Sequence, residues 1–239
     1  MAKTIAIVGA GPGVGLAVAE RFGAEGFSVA LIARNSTKLD GLVAQLKAKG
    51  IDAAGFAADV TDTAGLADAL AKAATHFGSI DVLEYGPTAT PDSLLPPRRM
   101  TVENEQLHLD IAVLGAITAV NTVLPAMLER KSGALLFTTA ASAQHPVSFT
   151  ASFGVAAGAA LNYARVLYQE LKPEGIYSGI VSICGMVVQR GEENGPSPTG
   201  LPLVAAQDIA DAHWQLYTDR NGPERILGDT SILLAAAAI

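Results

Sequence analysis

Residues 4–15 read Thr-Ile-Ala-Ile-Val-Gly-Ala-Gly-Pro-Gly-Val-Gly, and an alanine-rich stretch from Leu16 to Phe22 follows at once. An apolar run that passes through closely spaced glycines into a helix admits few folds. The glycines let the backbone turn sharply and come close to a pyrophosphate, while the first turn of the helix offers unpaired N–H groups and the positive end of its dipole. Gly9, Gly11, Gly13, Val14 and Gly15 are therefore the expected phosphate-binding residues of a dinucleotide fold. The spacing Gly9-x-x-x-Gly13-x-Gly15 departs from the G-x-G-x-x-G fingerprint.

The remainder of the 239 residues supports one open α/β domain spanning residues 1–239. Strand-type runs at Phe27–Ala33, Ala53–Ala58, Ile80–Glu84, Ala134–Thr139, Ile176–Ile183 and Arg225–Leu234 join the first, and helical stretches separate them. The helices are expected at 36–49, capped by Ser36 and stopped by Gly50; from Leu66 to Phe77, closed by Gly78; and at 101–130, 152–171 and 207–217. Seven strands alternating with helices predict a doubly wound parallel sheet with its ligand crevice at the strand carboxyl ends. Four prolines between Pro87 and Pro97 impose an irregular connection. The Gly- and Pro-rich stretch 191–202 reads as a mobile loop.

Composition narrows the classes. Half of the residues are hydrophobic, and the net charge of −7 offers no footprint for nucleic acid or an anionic membrane. Cys184 is the single cysteine, so no internal disulfide forms and a reducing compartment fits. With no secretory signal after Met1 and no apolar run of roughly 18 residues, a cytoplasmic protein is expected.

In order, these landmarks resemble the short-chain dehydrogenase/reductase (SDR) family over nearly the whole chain. The resemblance implies a nicotinamide cofactor. An NAD site carries a carboxylate after the second strand to bond the ribose 2′-hydroxyl, but here Ala33-Arg34-Asn35 has no acid before Asp40. An arginine suits a 2′-phosphate, so NADP(H) is expected ahead of NAD(H), with Arg34 and Asn35 as cofactor contacts. Asp59-Val60 matches the pair that contacts adenine; Asp59 could equally cap the next helix. Past the fourth strand the family's Asn-Asn-Ala-Gly is replaced by Tyr85-Gly86-Pro87-Thr88, and near the sixth strand Cys184-Gly185 stands for Pro-Gly, with Gln189 where a threonine falls. Gly86 and Gly185 are kept as cofactor contacts.

The family's catalytic set is an Asn, a Ser, a Tyr and a Lys four residues after the Tyr, the Lys lowering a phenol pKa that is otherwise about 10. Registered on Leu167-Tyr168-Gln169-Glu170-Leu171, on the strand-five segment and on Val113-Leu114-Gly115, those positions hold Ala112, Ala140, Phe153 and Ala157. None of the four transfers a proton by its side chain. Tyr168 and Lys172 share the Tyr-x-x-x-Lys spacing but fall some fifteen residues later, about 22 Å along a helix, at the wrong end. Candidate replacements are His145, Ser142 and Tyr85; Thr138 and Thr139 read as packing residues, and His76, His108 and His213 as helix residues away from the crevice, with no metal-ligand spacing.

Three readings stay open. One is an NADP(H)-dependent oxidoreductase of atypical mechanism, acting on a small molecule such as an iminium ion or an activated alkene. The second is an NADP(H)- or ligand-binding sensor or partner subunit. The third is a redox-neutral cyclase or isomerase. By resemblance, the two long helices form the interface of a homodimer or homotetramer, and residues 186–205 form a substrate lid.

Overall fold

The structure, a computed structural model, describes residues 2–189, 191–197, 200–231 and 233. Seven strands form one sheet in the order β3-β2-β1-β4-β5-β6-β9, every pair parallel. They are β1 (Thr4–Val8), β2 (Ser28–Ala33), β3 (Ala53–Ala57), β4 (Val82–Tyr85), β5 (Gly133–Ala140), β6 (Ile176–Ile183) and β9 (Glu224–Leu227). A separate parallel pair, β7 (Met186–Val188) and β8 (Leu203–Ala205), stands beside the sheet.

The helices are α1 (Val14–Ala24), α2 (Ser36–Ala48), α3 (Thr63–Phe77), α4 (Val102–Leu109), α5 (Gly115–Arg130), α6 (Ala151–Leu171) and α7 (Ala206–Asp219). They cover both faces, as a sheet of parallel strands requires. Ile5 and Ile7 of β1 pack with α1, α2 and α7 through Phe22, Leu46 and Ile209, whereas Ala6 and Val8 pack with α3, α5 and α6 through Leu70, Val120 and Leu161. The strand period of two thus sends alternate residues into two cores. β1 lies centrally, with the crossover direction reversing between β1 and β4, and the crevice of such sheets opens at that switch.

Several expectations are corrected locally. Asn35, not Ser36, caps α2, its Oδ1 accepting from the Lys38 N–H at 2.9 Å. Asp62, not Asp59, caps α3. β4 starts two residues late, at Val82. The last strand ends at Leu227, where Gly228 (φ +94°) turns the chain away, and Leu234 lies outside the described residues. Part of the expected mobile loop, residues 198 and 199, also lies outside them, and the expected lid is held at both ends by β7 and β8.

The stretch Val102–Arg130 is continuously helical and is long and apolar enough, by length and composition, to cross a membrane. That corrects the expectation that no apolar run is long enough: residues 111–128 contain Asn and Thr, which interrupt an apolar run by eye, but no charged side chain. A third of the apolar window is buried in the fold, against α3 and the sheet.

Candidate active site

Gly9 opens the site. Its φ of +92° belongs to glycine, and an added Cβ would lie 2.6 Å from the Pro87 backbone N, so β1 and the loop after β4 touch only because no side chain stands between them. Gly13 is the N-cap of α1 and provides no side-chain cap, while Gly11 and Gly13 leave open space above the helix end, with nothing closer than 4.0 Å to an added Cβ. Gly15 instead packs on the Ala10 backbone. A glycine cradle ahead of an uncapped helix N-terminus fits the pyrophosphate of a dinucleotide.

Three cavities run along the strand carboxyl ends and meet at Thr88. The first, about 360 Å³, is lined by Gly9, Ala10, Arg34, Asp59, Val60 and Gly86. Arg34 is exposed, with its Nη1 3.9 Å from Asp59 Oδ2. The Asp59 carboxyl accepts from the Thr61 N–H and hydroxyl at 3.0 and 2.8 Å, which together with Arg34 holds it below the usual carboxylate range. Asn35 spends its oxygen on the α2 cap and does not line this cavity.

The central cavity, about 220 Å³, is bounded by Val14, Gly86, Ala112, Thr138, Ala140 and Phe153, with Gly185 at its edge. Ala112 reaches it from a π-helical turn, Asp110–Leu114, set between α4 and α5. That turn is tied to the sheet by Tyr85, whose hydroxyl donates to the Ile111 carbonyl at 2.5 Å. Gly115 makes the bond possible, since a Cβ there would run into the Tyr85 hydroxyl. Burial pushes the Tyr85 phenol far above its ordinary value, so this residue serves as a tether, not the proton donor the sequence offered. Ala157 is fully buried in α6 behind the cavity.

The outer cavity, about 440 Å³, shares Ala140, Phe153, Ile183 and Val187 with the central one and continues past Leu94, Val147, Phe149 and Leu233. Its walls are mostly apolar. Ser142 lines it, with a buried hydroxyl that has no partner. His145 lines none of the three cavities; its chain turns away through an N–H bond to the Ala141 carbonyl. The chain after β7 reaches the glycine loop, where Gln189 Nε2 donates to the Pro12 carbonyl at 3.4 Å. Tyr168 and Lys172 stay outside the site, with the ammonium 5.5 Å from the ring centre and Tyr177 beyond it.

The sequence reading missed the most unusual group of the site. Glu84 on β4 is 1% exposed, and Thr138 Oγ1 lies 2.6 Å from its Oε1 and 2.8 Å from His213 Nε2. Burial raises the Glu84 carboxyl to about 7 against a weaker downward pull from the Thr138 bond, and burial lowers the His213 imidazole to about 3. Helical and strand patterning in the sequence places His213 away from the crevice and Thr138 in the core. In fact Thr138 lines the central cavity and α7 turns His213 onto it. His108 is likewise near the site, buried with its ring 6.2 Å from that of Phe153 and its Nε2 3.1 Å from the Ser93 carbonyl. The signal for Glu84 was available: an acid inside an otherwise apolar strand is rarely buried without a reason. Among the described residues no cluster of three metal-ligating side chains occurs.

Residues 3–194 match the short chain dehydrogenase family. The chain belongs to that family. Among curated relatives, 2,3-dihydro-2,3-dihydroxybenzoate dehydrogenase of Bacillus subtilis is 27% identical over 225 residues, 94% of this chain and 77% of its own. Among solved structures, L-sorbose reductase of Gluconobacter frateurii, complexed with NADPH and L-sorbose, superposes with a TM-score of 0.83 at 20% identity, covering 95% of each chain. A short-chain oxidoreductase of Pseudomonas aeruginosa PAO1 containing an atypical catalytic center gives a TM-score of 0.82 at 18% identity over 94% of each chain. These structural likenesses establish the short-chain dehydrogenase fold, a single-domain Rossmann-type sheet of seven parallel strands.

Proposed function

We propose that this short-chain dehydrogenase is an NADP(H)-dependent oxidoreductase of a small molecule that works without a tyrosine–lysine pair. In this reading Ala112, Ala140, Phe153 and Ala157 occupy the family's Asn, Ser, Tyr and Lys positions. The observation that carries it is convergence: Ala112, Ala140 and Phe153 come from three separate elements onto one cavity beside the glycine loop, and none has a proton to give. When bound, a nicotinamide nucleotide supplies hydride. Gly9, Gly11, Gly13, Val14 and Gly15 would hold its phosphates, Asp59 and Val60 would border its adenine, and Gly86 and Gly185 would border its nicotinamide half. Arg34, exposed at the end of β2 with no acid before Asp40, favours a 2′-phosphate. Phe153 walls the pocket and helps to exclude water.

Two supports come from relatives. The Gluconobacter enzyme is complexed with NADPH, and the Pseudomonas protein contains an atypical catalytic center. In keeping with the reducing conditions that suit its lone cysteine, the protein is assigned to the cytoplasm. Exposed Leu114 and Leu128 of the long helix and Val155 and Val166 of α6 support pairing of copies through these helices.

NADPH oxidation against small ketones, activated alkenes and cyclic iminium ions tests the reading. Turnover of at least one of them, faster with NADPH than with NADH, is expected. Tight NADPH binding without turnover of any makes the protein a nucleotide-binding sensor or partner subunit instead.

A further inference from the structure

The central cavity has one polar side chain that is wired to buried ionisable groups. Thr138 is half-buried at the carboxyl end of β5, lines the cavity, and lies within hydrogen-bond distance of both Glu84 Oε1 and His213 Nε2. Gly86 keeps that floor uncovered, since a Cβ there would come within 2.8 Å of Glu84 Oε1 and 3.2 Å of Thr138 Oγ1. A threonine hydroxyl has one proton to donate and two lone pairs to accept with. How its two neighbours are protonated decides where that proton points.

His213 settles half of the question. Its Nδ1 is buried without a partner. An orphaned buried N–H is rarer in folded proteins than an orphaned acceptor. The ring therefore carries its hydrogen on Nε2 and donates to Thr138. With Glu84 ionised, the Thr138 hydroxyl donates back to the carboxylate. With Glu84 protonated, the acid O–H also donates to Thr138; both lone pairs of the hydroxyl are then filled, and its proton is left to point into the cavity. Every group in this second state is neutral, which suits a pocket with little water.

We infer that Thr138 hydrogen-bonds the acceptor oxygen of the substrate, that Glu84 and His213 aim its proton, and that the substrate is a neutral, largely apolar carbonyl compound. This rests on the oxidoreductase reading above and supplies the donor which Ala140 and Phe153 lack. As hydride reaches the carbon, the oxygen gains a pair of electrons and takes the Thr138 proton. Thr138 takes the Glu84 proton across their 2.6 Å contact, and the carboxylate is reprotonated from solvent. The apolar outer cavity, bounded by Leu94, Val147 and Phe149, accepts the hydrocarbon part of such a molecule, and among the described residues its lining offers a charged substrate no counter-ion.

Among the described residues, the surroundings of Glu84 are otherwise uncharged. In register it has Ile7 of β1 on one side and Leu136 of β5 on the other. α7 presents His213 at 4.0 Å. The remaining acids and bases of α1 and α7 are engaged or exposed at the surface: Glu20 with Lys49, Arg21 with Glu25 and Asp211, Asp219 facing Arg225, and Asp208 exposed. Tyr85 points to the opposite face of the sheet. Burial, against the smaller downward pull of the Thr138 hydrogen bond, raises the Glu84 carboxyl to about 7.

Infrared spectroscopy of wild type, Thr138→Val and Glu84→Gln, with circular dichroism to verify folding, tests the arrangement. The ligand-free wild type is expected to show a buried carboxylic-acid carbonyl band below neutral pH that fades above it and is missing from Glu84→Gln. With NADP⁺ and cyclohexanone added, the ketone stretch should shift to lower frequency below neutral pH and return above it. Thr138→Val should abolish the shift at all pH values. Glu84→Gln should keep it at all pH values, because the amide N–H₂ donates to Thr138 as the acid does; a merely structural role for Glu84 would produce no such persistence. In turnover, Thr138→Val should cost ~10²-fold in kcat with little change in KM, as loss of a donor to developing charge does. An acid band missing at low pH, a ketone stretch that is unshifted or indifferent to pH, or no bound ketone at all overturns the inference. NADP⁺ affinity and NADPH turnover, measured on the same samples, separate these results from failure of the oxidoreductase reading. No nucleotide binding, or binding without turnover of any ketone, alkene or iminium ion, counts against that reading, whereas binding with turnover and an unshifted ketone stretch counts against the Thr138 assignment alone.

Discussion

Removing one oxygen atom from Tyr85 would leave the Ile111 carbonyl buried and unpaired. An orphaned buried acceptor costs about 1–3 kcal/mol, so Tyr85→Phe should lower the denaturation midpoint while leaving nucleotide binding in place. Glu84 and His213 give the fold a pH dependence of definite sign. The unfolded Glu84 titrates near 4.5 and the folded one at about 7, so between those values the folded state holds the extra proton and stability falls as pH rises. His213 acts oppositely: folded at about 3 and unfolded near 6.5, it makes stability rise with pH across that interval. The two slopes oppose each other between about 4.5 and 6.5. In Glu84→Gln only the His213 slope remains. The stability of this variant relative to wild type should therefore climb from pH about 4.5 to about 7 and then level off, by roughly 3 kcal/mol at 1.36 kcal/mol per pKa unit. Urea midpoints across that range read it directly, and a constant difference would remove the raised Glu84 pKa.

At the scale of elements, the glycine turn between β1 and α1 is the least replaceable piece of chain. Gly9→Ala places a Cβ in a left-handed conformation, costing about 1 kcal/mol or more, and drives it into the Pro87 backbone. A fall in Tm of several degrees is expected, at roughly 2–4 °C per kcal/mol for a domain of this size, with weakened nucleotide binding. This element was legible in the sequence because its glycines answer a local demand. The helices of α2 and α3 were legible too, but the α2 cap falls on Asn35 in place of the expected Ser36, and the cap offered as an alternative role for Asp59 falls on Asp62, since such polar residues are chemically interchangeable until the backbone is placed. The π turn at Asp110–Leu114 left no mark in the sequence, because its wider turn is held by a phenol from another element.

For the whole molecule, the parallel sheet and its two-sided burial followed from apolar runs alternating with helices, whereas the order of the strands, with its reversal between β1 and β4, comes from the structure. Ala112, Ala140 and Phe153, singled out through resemblance and register, line one cavity. The Glu84–Thr138–His213 chain was not legible in the sequence. Its members are 54 and 75 residues apart in sequence, and only the pairing of β4 with β5 and the docking of α7 bring them together. Local patterns report which residues lie on a strand or helix; they do not report which helix covers the end of which strand. The function proposed for this assembly depends first on the nucleotide. A fluorescence titration of the purified protein with NADPH and then NADH, repeated on Arg34→Ala, tests it most directly. Saturable NADPH binding that Arg34→Ala weakens about tenfold, or roughly 1.4 kcal/mol, with NADH binding unchanged, is the expected result. Failure to bind either nucleotide would contradict the account.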